Sequence, residues 1–153
     1  MQLTTLLLTA LPALALAAPS TKRDCTPIFP AGVSQVSLSK AAGSPSTTQT
    51  LSFNIPPTSS GPCTLIATFP ANFPIASSGN PQVNVIDVNG PAAGAIVGTV
   101  TFSSETWGPK KTFINSFACR PNMQFKLMLA TEDEGSVYFA EGNGAGVAVT
   151  AGC

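Results

Sequence analysis

The sequence contains no histidine, one tryptophan, one tyrosine and few charged residues. Without histidine it cannot form a Ser-His-Asp or Cys-His nucleophile, or a zinc or copper site with histidine ligands. It also has no Asn-x-Ser/Thr sequence, so N-glycosylation is not expected. The catalytic option that remains is carboxylate chemistry, chiefly glycoside hydrolysis by two acids.

Charge is also scarce in the part of the chain that follows Arg23. That part has five basic and seven acidic side chains, a net charge of −2. Such a low density provides neither the basic surface that binds nucleic acid nor a polybasic patch for anionic lipid. We therefore expect no nucleic-acid partner, no membrane insertion and no cofactor.

The one long hydrophobic run lies at the N-terminus. Residues 3–16 are uncharged, and Ala15-Leu16-Ala17 has the small-residue pattern that signal peptidase accepts. As a helix, this run would be about 21 Å long, shorter than the ~30 Å hydrocarbon core of a bilayer. The pattern therefore predicts a signal peptide over residues 1–17 and an extracellular protein, either free or associated with a cell wall.

A dibasic pair, Lys22-Arg23, follows the predicted cleavage site. A Golgi protease could cut after it, removing residues 18–23 as a short propeptide. The alternative is a solvated charge pair in a flexible lead-in. With either interpretation, residues 24–153 are predicted to form one domain, long enough for a single hydrophobic core.

All four cysteines lie in this predicted domain, far apart in the sequence. An even number in an oxidising compartment predicts two disulfides. Three pairings can be drawn, and loop entropy does not select one, because the closed loops differ by only about 1 kcal/mol. Position favours Cys63–Cys119, since both lie in strand-like segments, and Cys25–Cys153, which would join the two ends.

Short segments that alternate between apolar and polar residues recur along the domain, while fourteen prolines and thirteen glycines oppose long helices. Nine segments are predicted as strands: 33–39, 48–55, 63–69, 82–88, 95–102, 111–117, 124–130, 136–140 and 146–150. The pair Asn143-Gly144 is typical of a tight hairpin turn. We predict an all-β fold, a single antiparallel β-sandwich of about eight or nine strands, with a closed β-barrel as the alternative.

Several of these segments resemble the fungal But2 C-terminal-domain family of small secreted proteins. The resemblance is carried by Gly61-Pro62-Cys63-Thr64-Leu65, Phe69-Pro70, Phe117-Ala118-Cys119, Phe125-Lys126-Leu127 and a closing strand near 146–149. It implies a fungal secreted protein, and it supports a disulfide between Cys63 and Cys119. The layout is also similar to small cysteine-bridged protein elicitors of plant-pathogenic fungi, which hosts sense as a trigger of defence and local cell death.

Trp107, Lys110 and Lys111 form the predicted ligand or partner contact. This segment combines the only tryptophan with a basic pair, in a turn before a predicted strand. An exposed tryptophan can stack on a sugar ring or anchor a protein partner. The alternative is that Trp107 folds back onto the end of the sandwich while the lysines protect an edge strand.

Three acids, Asp87, Glu105 and Glu141, lie in or beside predicted strands. Asp87 has apolar neighbours, which would suit a general acid, but strand alternation predicts that it points outward on the same side as Val85. The acidic turn 132–134 could bind Ca²⁺, but its spacing matches no calcium loop. We therefore predict a solvated hairpin tip there.

These features favour a secreted fungal effector or elicitor that is not an enzyme and acts by binding. Its expected partner is a host plant surface protein or a cell-wall polysaccharide, contacted after export. The first alternative is a cell-wall or carbohydrate-binding module that uses Trp107 and the polar strand faces. The second is a small glycoside hydrolase that depends on Asp87 or Glu105.

Overall fold

The computed structural model describes residues 25–59, 61–104 and 108–152, which form β-strands and no helix. The predicted signal peptide and propeptide lie outside the described residues, as do Glu105, Trp107 and Cys153. Within the described ranges, no helix is long and apolar enough to cross a membrane.

Ten strands follow one another in the described part of the chain. They are β1 (Gln35–Lys40), β2 (Thr48–Asn54), β3 (Pro62–Phe69), β4 (Ile75–Gly79), β5 (Gln82–Asp87), β6 (Ile96–Thr101), β7 (Lys110–Ala118), β8 (Asn122–Leu129), β9 (Gly135–Ala140) and β10 (Gly146–Ala151). Nine of them match the predicted segments to within a few residues. The additional strand, β4, has the sequence Ile-Ala-Ser-Ser-Gly, whose small residues have little intrinsic strand preference.

The described strands pair antiparallel in three sheets, none of which closes into a barrel. Sheet A has the order β10-β3-β7, sheet B the order β1-β9-β4, and sheet C the order β2-β8-β5-β6. The predicted all-β, sandwich-like fold is therefore confirmed. The closed-barrel alternative is wrong for these strands.

One hydrophobic core lies between the three sheets, and it is built from alternate residues of the strands. Leu51 and Phe53 of β2 point inward, as do Phe125 and Leu127 of β8. Alternation along each strand therefore separates a buried face from a solvent face, as the sequence predicts. Burial of these apolar faces is the main term that stabilises the fold.

Three phenylalanine rings join the sheets at the centre of this core. Phe69 comes from sheet A, Phe139 comes from sheet B, and Phe102 follows directly after β6 of sheet C. Their ring centroids lie 4.8 to 6.0 Å apart, and Phe69 meets the other two edge to face. Such tilted and T-shaped contacts are favourable geometries for aromatic pairs, so this cluster helps to hold the three sheets together.

The Asn-Gly turn links β9 in sheet B to β10 in sheet A. Asn143 and Gly144 both have positive φ, at 52° and 86°. Gly142 and Ala145 exchange two backbone hydrogen bonds across them, at 2.8 and 3.0 Å. The tight two-residue turn predicted from Asn-Gly is therefore present. It does not close a hairpin of paired strands, because β9 and β10 lie in different sheets and only the bridge between Gly142 and Ala145 spans it.

A disulfide joins Cys63 of β3 to Cys119, the residue after β7, as predicted. The two Cα atoms lie 4.9 Å apart, and both cysteines contribute to or pack on the core. Cys25 is also disulfide-bonded, and its predicted partner Cys153 lies outside the described residues. Near it, Ile28 pairs with Val149, which holds the N-terminal segment against β10.

Candidate binding faces

The outer face of sheet A carries an open recess of about 440 Å³. It is lined by Thr64 and Ile66 of β3, Lys111 and Phe113 of β7, and Thr150 of β10. Ile66 and Thr150 are buried, whereas Lys111 and Phe113 are exposed. The volume is within the range of small-molecule pockets, although this recess is open to solvent and does not enclose a ligand.

A β-bulge explains why Phe113 faces solvent. Ile114 of β7 has no partner in β3, and the register shifts by one residue at this point. Strict alternation would place Phe113 and Phe117 on the same side, because they are four residues apart. The bulge separates them, so Phe117 packs against Phe125 with ring centroids 5.1 Å apart while Phe113 is 63% exposed.

The two lysines of the predicted contact, Lys110 and Lys111, lie on opposite faces of sheet A. Lys111 lines the recess on the outer face of sheet A. Lys110 lines a narrow gap beside Phe69 and Phe102, with a volume of about 10 Å³, room for a single water molecule. Consecutive residues of a strand point to opposite faces, so the pair does not form one basic patch.

The outer face of sheet B is polar and uncharged. Its eight outward-facing side chains come from alternate positions of three strands: Gln35, Ser37, Ser39, Ala76, Ser78, Ser136, Tyr138 and Ala140. Tyr138 is 47% exposed, and its hydroxyl donates to Oε1 of Gln35 at 3.2 Å. The hydroxyls of Ser78 and Ser136 lie 2.8 Å apart.

Asp87 is buried, so the predicted outward orientation is wrong. It lies opposite Phe125 of β8, and Val85 on the same side of β5 lies in the core. Its Oδ1 accepts from the Gly90 N–H at 2.8 Å and its Oδ2 accepts from the Ala92 N–H at 3.1 Å.

The Arg120 guanidinium lies 3.8 Å from Oδ1 of Asp87 and donates to the Asn89 carbonyl at 2.6 Å. The buried carboxylate is tolerated because backbone amides and a cation compensate it. Its oxygens are therefore engaged in holding the loop after β5. Glu105, the other acid proposed for hydrolysis, lies outside the described residues.

Glu141 begins the β9–β10 turn and is only 8% exposed. Its Oε2 accepts from the Val147 N–H at 3.3 Å, whereas its Oε1 is buried without a hydrogen-bond partner. Burial raises the pKa of Glu141 to about 8, and the bond from Val147 opposes this rise only partly. Gly146 leaves room for the carboxyl group, because a side chain at this position would overlap it.

The acidic turn between β8 and β9 is solvated, as predicted, but the predicted hairpin is wrong because β8 and β9 lie in different sheets. All three of its acids are exposed, and Glu132 forms a 3.1 Å ion pair with Lys40 of β1. The same Lys40 ammonium donates to the Thr131 carbonyl at 3.1 Å. Across the described ranges, no cluster of His, Cys, Asp and Glu side chains could hold a metal ion.

The structure therefore presents two faces with different chemistry. The face on sheet A is a partly apolar recess with one cation, and the face on sheet B is flat, uncharged and rich in hydroxyl groups. Of the residues on these faces, Phe113 and Tyr138 were missed by sequence reasoning, because an aromatic residue in a strand is usually core.

In comparisons with known proteins, no family model, curated protein or solved structure matches this chain.

Proposed function

We propose that this protein acts outside the cell as a non-enzymatic effector or elicitor, which a plant surface protein recognises through the outer face of sheet A. The observation that carries the proposal is Phe113, which is 63% exposed beside a recess of about 440 Å³. Exposed aromatic residues next to a concave surface are typical of interaction hot spots.

The residues of the recess suggest the chemistry of the partner. Phe113 provides apolar surface, Thr64 provides a hydroxyl group and Lys111 provides a positive charge, whereas Ile66 and Thr150 are buried beneath them. An apolar anchor side chain followed by an acidic residue would match all of these groups. The proposed partner segment therefore carries both.

The position of this face in the fold also supports the proposal. β3 lies between β10 and β7, so its outer side chains are held by neighbours on both sides. The Cys63–Cys119 disulfide fixes β3 against the end of β7, directly beside Thr64. A surface that is rigid before binding loses less entropy when a partner docks.

Two further observations agree with an extracellular, non-enzymatic role. Disulfides form and persist mainly in oxidising compartments, which agrees with the predicted signal peptide. Both carboxylate oxygens of Asp87 bind backbone amides, which argues against its use as a general acid. The fungal origin and the plant host come from the resemblance noted above and belong to the proposal.

The test is infiltration of the purified mature protein into leaves at micromolar concentration, with ion leakage as the measure of cell death. We expect ion leakage with the wild type. For Phe113→Ala we expect that the same leakage requires a protein concentration at least about tenfold higher, as for a hot-spot residue. Tyr138→Ala is the matched control, because it removes an exposed aromatic ring from a different sheet. It should leave the response unchanged.

If leaves of several host species showed no ion leakage after infiltration of the folded protein, the proposal would be contradicted. Equal losses for Phe113→Ala and Tyr138→Ala would contradict the assignment to sheet A. Thermal unfolding and intact mass before infiltration establish that each variant is folded and oxidised. Lys111→Glu provides a second test, since reversing the charge should weaken an acidic partner's binding.

A further inference from the structure

We propose that the outer face of sheet B is a second binding site, which holds a neutral polysaccharide chain. In this site a sugar ring stacks on Tyr138, while its hydroxyl groups hydrogen-bond to Gln35 and the neighbouring serines. The site is independent of the recess on sheet A and of its proposed host partner. Its ligand class follows from the charge, the aromatic centre, the size and the edge of this face.

The charge of the face matches an uncharged ligand. None of its eight outward side chains is ionisable at neutral pH, and six of them carry a hydroxyl or amide group. The only charged residue of its three strands, Lys40, points the other way. Its ammonium is engaged by Thr131 and Glu132, and its side chain is only 12% exposed. Polyols, unlike anionic polymers, need hydrogen-bond partners and no cation.

Tyr138 provides an aromatic platform at the centre of the face. It lies on the middle strand, with Ser37 and Ala76 directly opposite on the two neighbours. These small side chains leave the ring 47% exposed, and the bond to Gln35 restrains its hydroxyl end. A restrained aromatic ring with a polar tip contacts both the C–H groups and the hydroxyls of a sugar.

The dimensions of the face favour a linear chain over a globular partner. Three strands about 4.8 Å apart make it roughly 10 Å wide between its outer strands, and five residues make it about 14 Å long. A stable protein interface needs about 800 Å² and 20 to 30 residues on each side. A face of eight side chains is too small for that, but it can contact several sugar units.

The free edge of β1 is closed to an added peptide strand. The Ser37 N–H donates to Oε1 of Gln49 at 3.0 Å, and the Ser39 N–H donates to Oγ1 of Thr47 at 2.7 Å. The Gln49 amide also donates to the Gln35 carbonyl at 2.8 Å. Because side chains occupy these backbone groups, strand addition at the β1 edge is blocked, which favours recognition through the side chains of the face.

The test is co-sedimentation of the mature protein with insoluble β-glucan, chitin and cellulose. We expect retention on at least one of them, unaffected by high salt, because no ion pair is involved. Tyr138→Ala should reduce the association constant about tenfold or more, whereas Tyr138→Phe should retain most of it. Phe113→Ala is the matched control and should bind like the wild type.

Complete recovery in the unbound fraction on all three polysaccharides would overturn the inference, as would undiminished binding by folded Tyr138→Ala. If Tyr138→Ala abolished the leaf response without any polysaccharide binding, the face would be a protein site instead. Sedimentation and ion leakage are separate measurements, so either proposal can fail without the other.

Discussion

The carboxyl group of Glu141 is buried in the folded protein, and only one of its two oxygens accepts a hydrogen bond. In the folded state its pKa is raised to about 8, whereas an ordinary glutamate has a pKa of about 4.5. The folded protein therefore retains a proton that the unfolded chain has lost between these two values. Protonated Glu141 therefore contributes to the free energy of unfolding. This contribution is fully present below about pH 4.5 and is lost as pH rises to about 8.

We predict that the free energy of unfolding falls between pH 4.5 and 8 by several kcal/mol, at about 1.4 kcal/mol per pH unit. In Glu141→Gln the side chain is neutral throughout, so most of this slope should disappear. Urea unfolding across the pH range measures it. Glu134→Gln, which changes an exposed acid, is the control and should retain the wild-type slope; an equal slope in Glu141→Gln would show that other groups cause it.

At the scale of strands, Gln49 of sheet C and the preceding Thr47 both bond to the edge of sheet B. Gln49 of β2 bonds to the backbone of Ser37 and Gln35 in β1, at 3.0 and 2.8 Å. These bonds satisfy an edge that would otherwise offer unpaired backbone groups to another chain. They also connect two sheets that are not paired with each other through a strand ladder.

We predict that Gln49→Ala lowers the free energy of unfolding by about 1 to 2 kcal/mol, because two hydrogen bonds are lost. The opened edge should also increase self-association at high concentration. Urea unfolding and size-exclusion chromatography measure the two effects. Gln124→Ala, on β8 of the same sheet as Gln49, is the control. A Gln49→Ala protein as stable and as monomeric as this control would contradict the role of Gln49.

Alternation predicted nine of the ten described strands because it depends only on nearby residues. The strand β4 was missed because pairing with β9, distant in the sequence, stabilises a segment that has weak preference of its own. The bulge at Ile114 was missed for a related reason. A bulge is a property of two paired strands, so it cannot be deduced from the pattern of one.

At the scale of the whole molecule, the Cys63–Cys119 disulfide joins two residues that are 56 positions apart in the sequence. We predict that replacing both cysteines by alanine lowers the free energy of unfolding by about 2 to 4 kcal/mol, because the unfolded chain gains freedom. Urea unfolding of oxidised wild type and of the variant measures this. Peptide mapping without reductant provides the control and should also find Cys25 joined to Cys153. A different pairing, or an unchanged midpoint, would contradict this account.

The sequence by itself determined the strand-rich fold, the polar and apolar faces of most strands, the Asn-Gly turn and the favoured Cys63–Cys119 pairing. Each of these follows from local alternation, turn preference or the position of residues along the chain. Only the tertiary structure decided that Asp87 and Glu141 are buried and that Phe113 and Tyr138 face solvent. These outcomes depend on which strands pair and in what register, and the sheets that cover or expose each residue are built from distant parts of the chain.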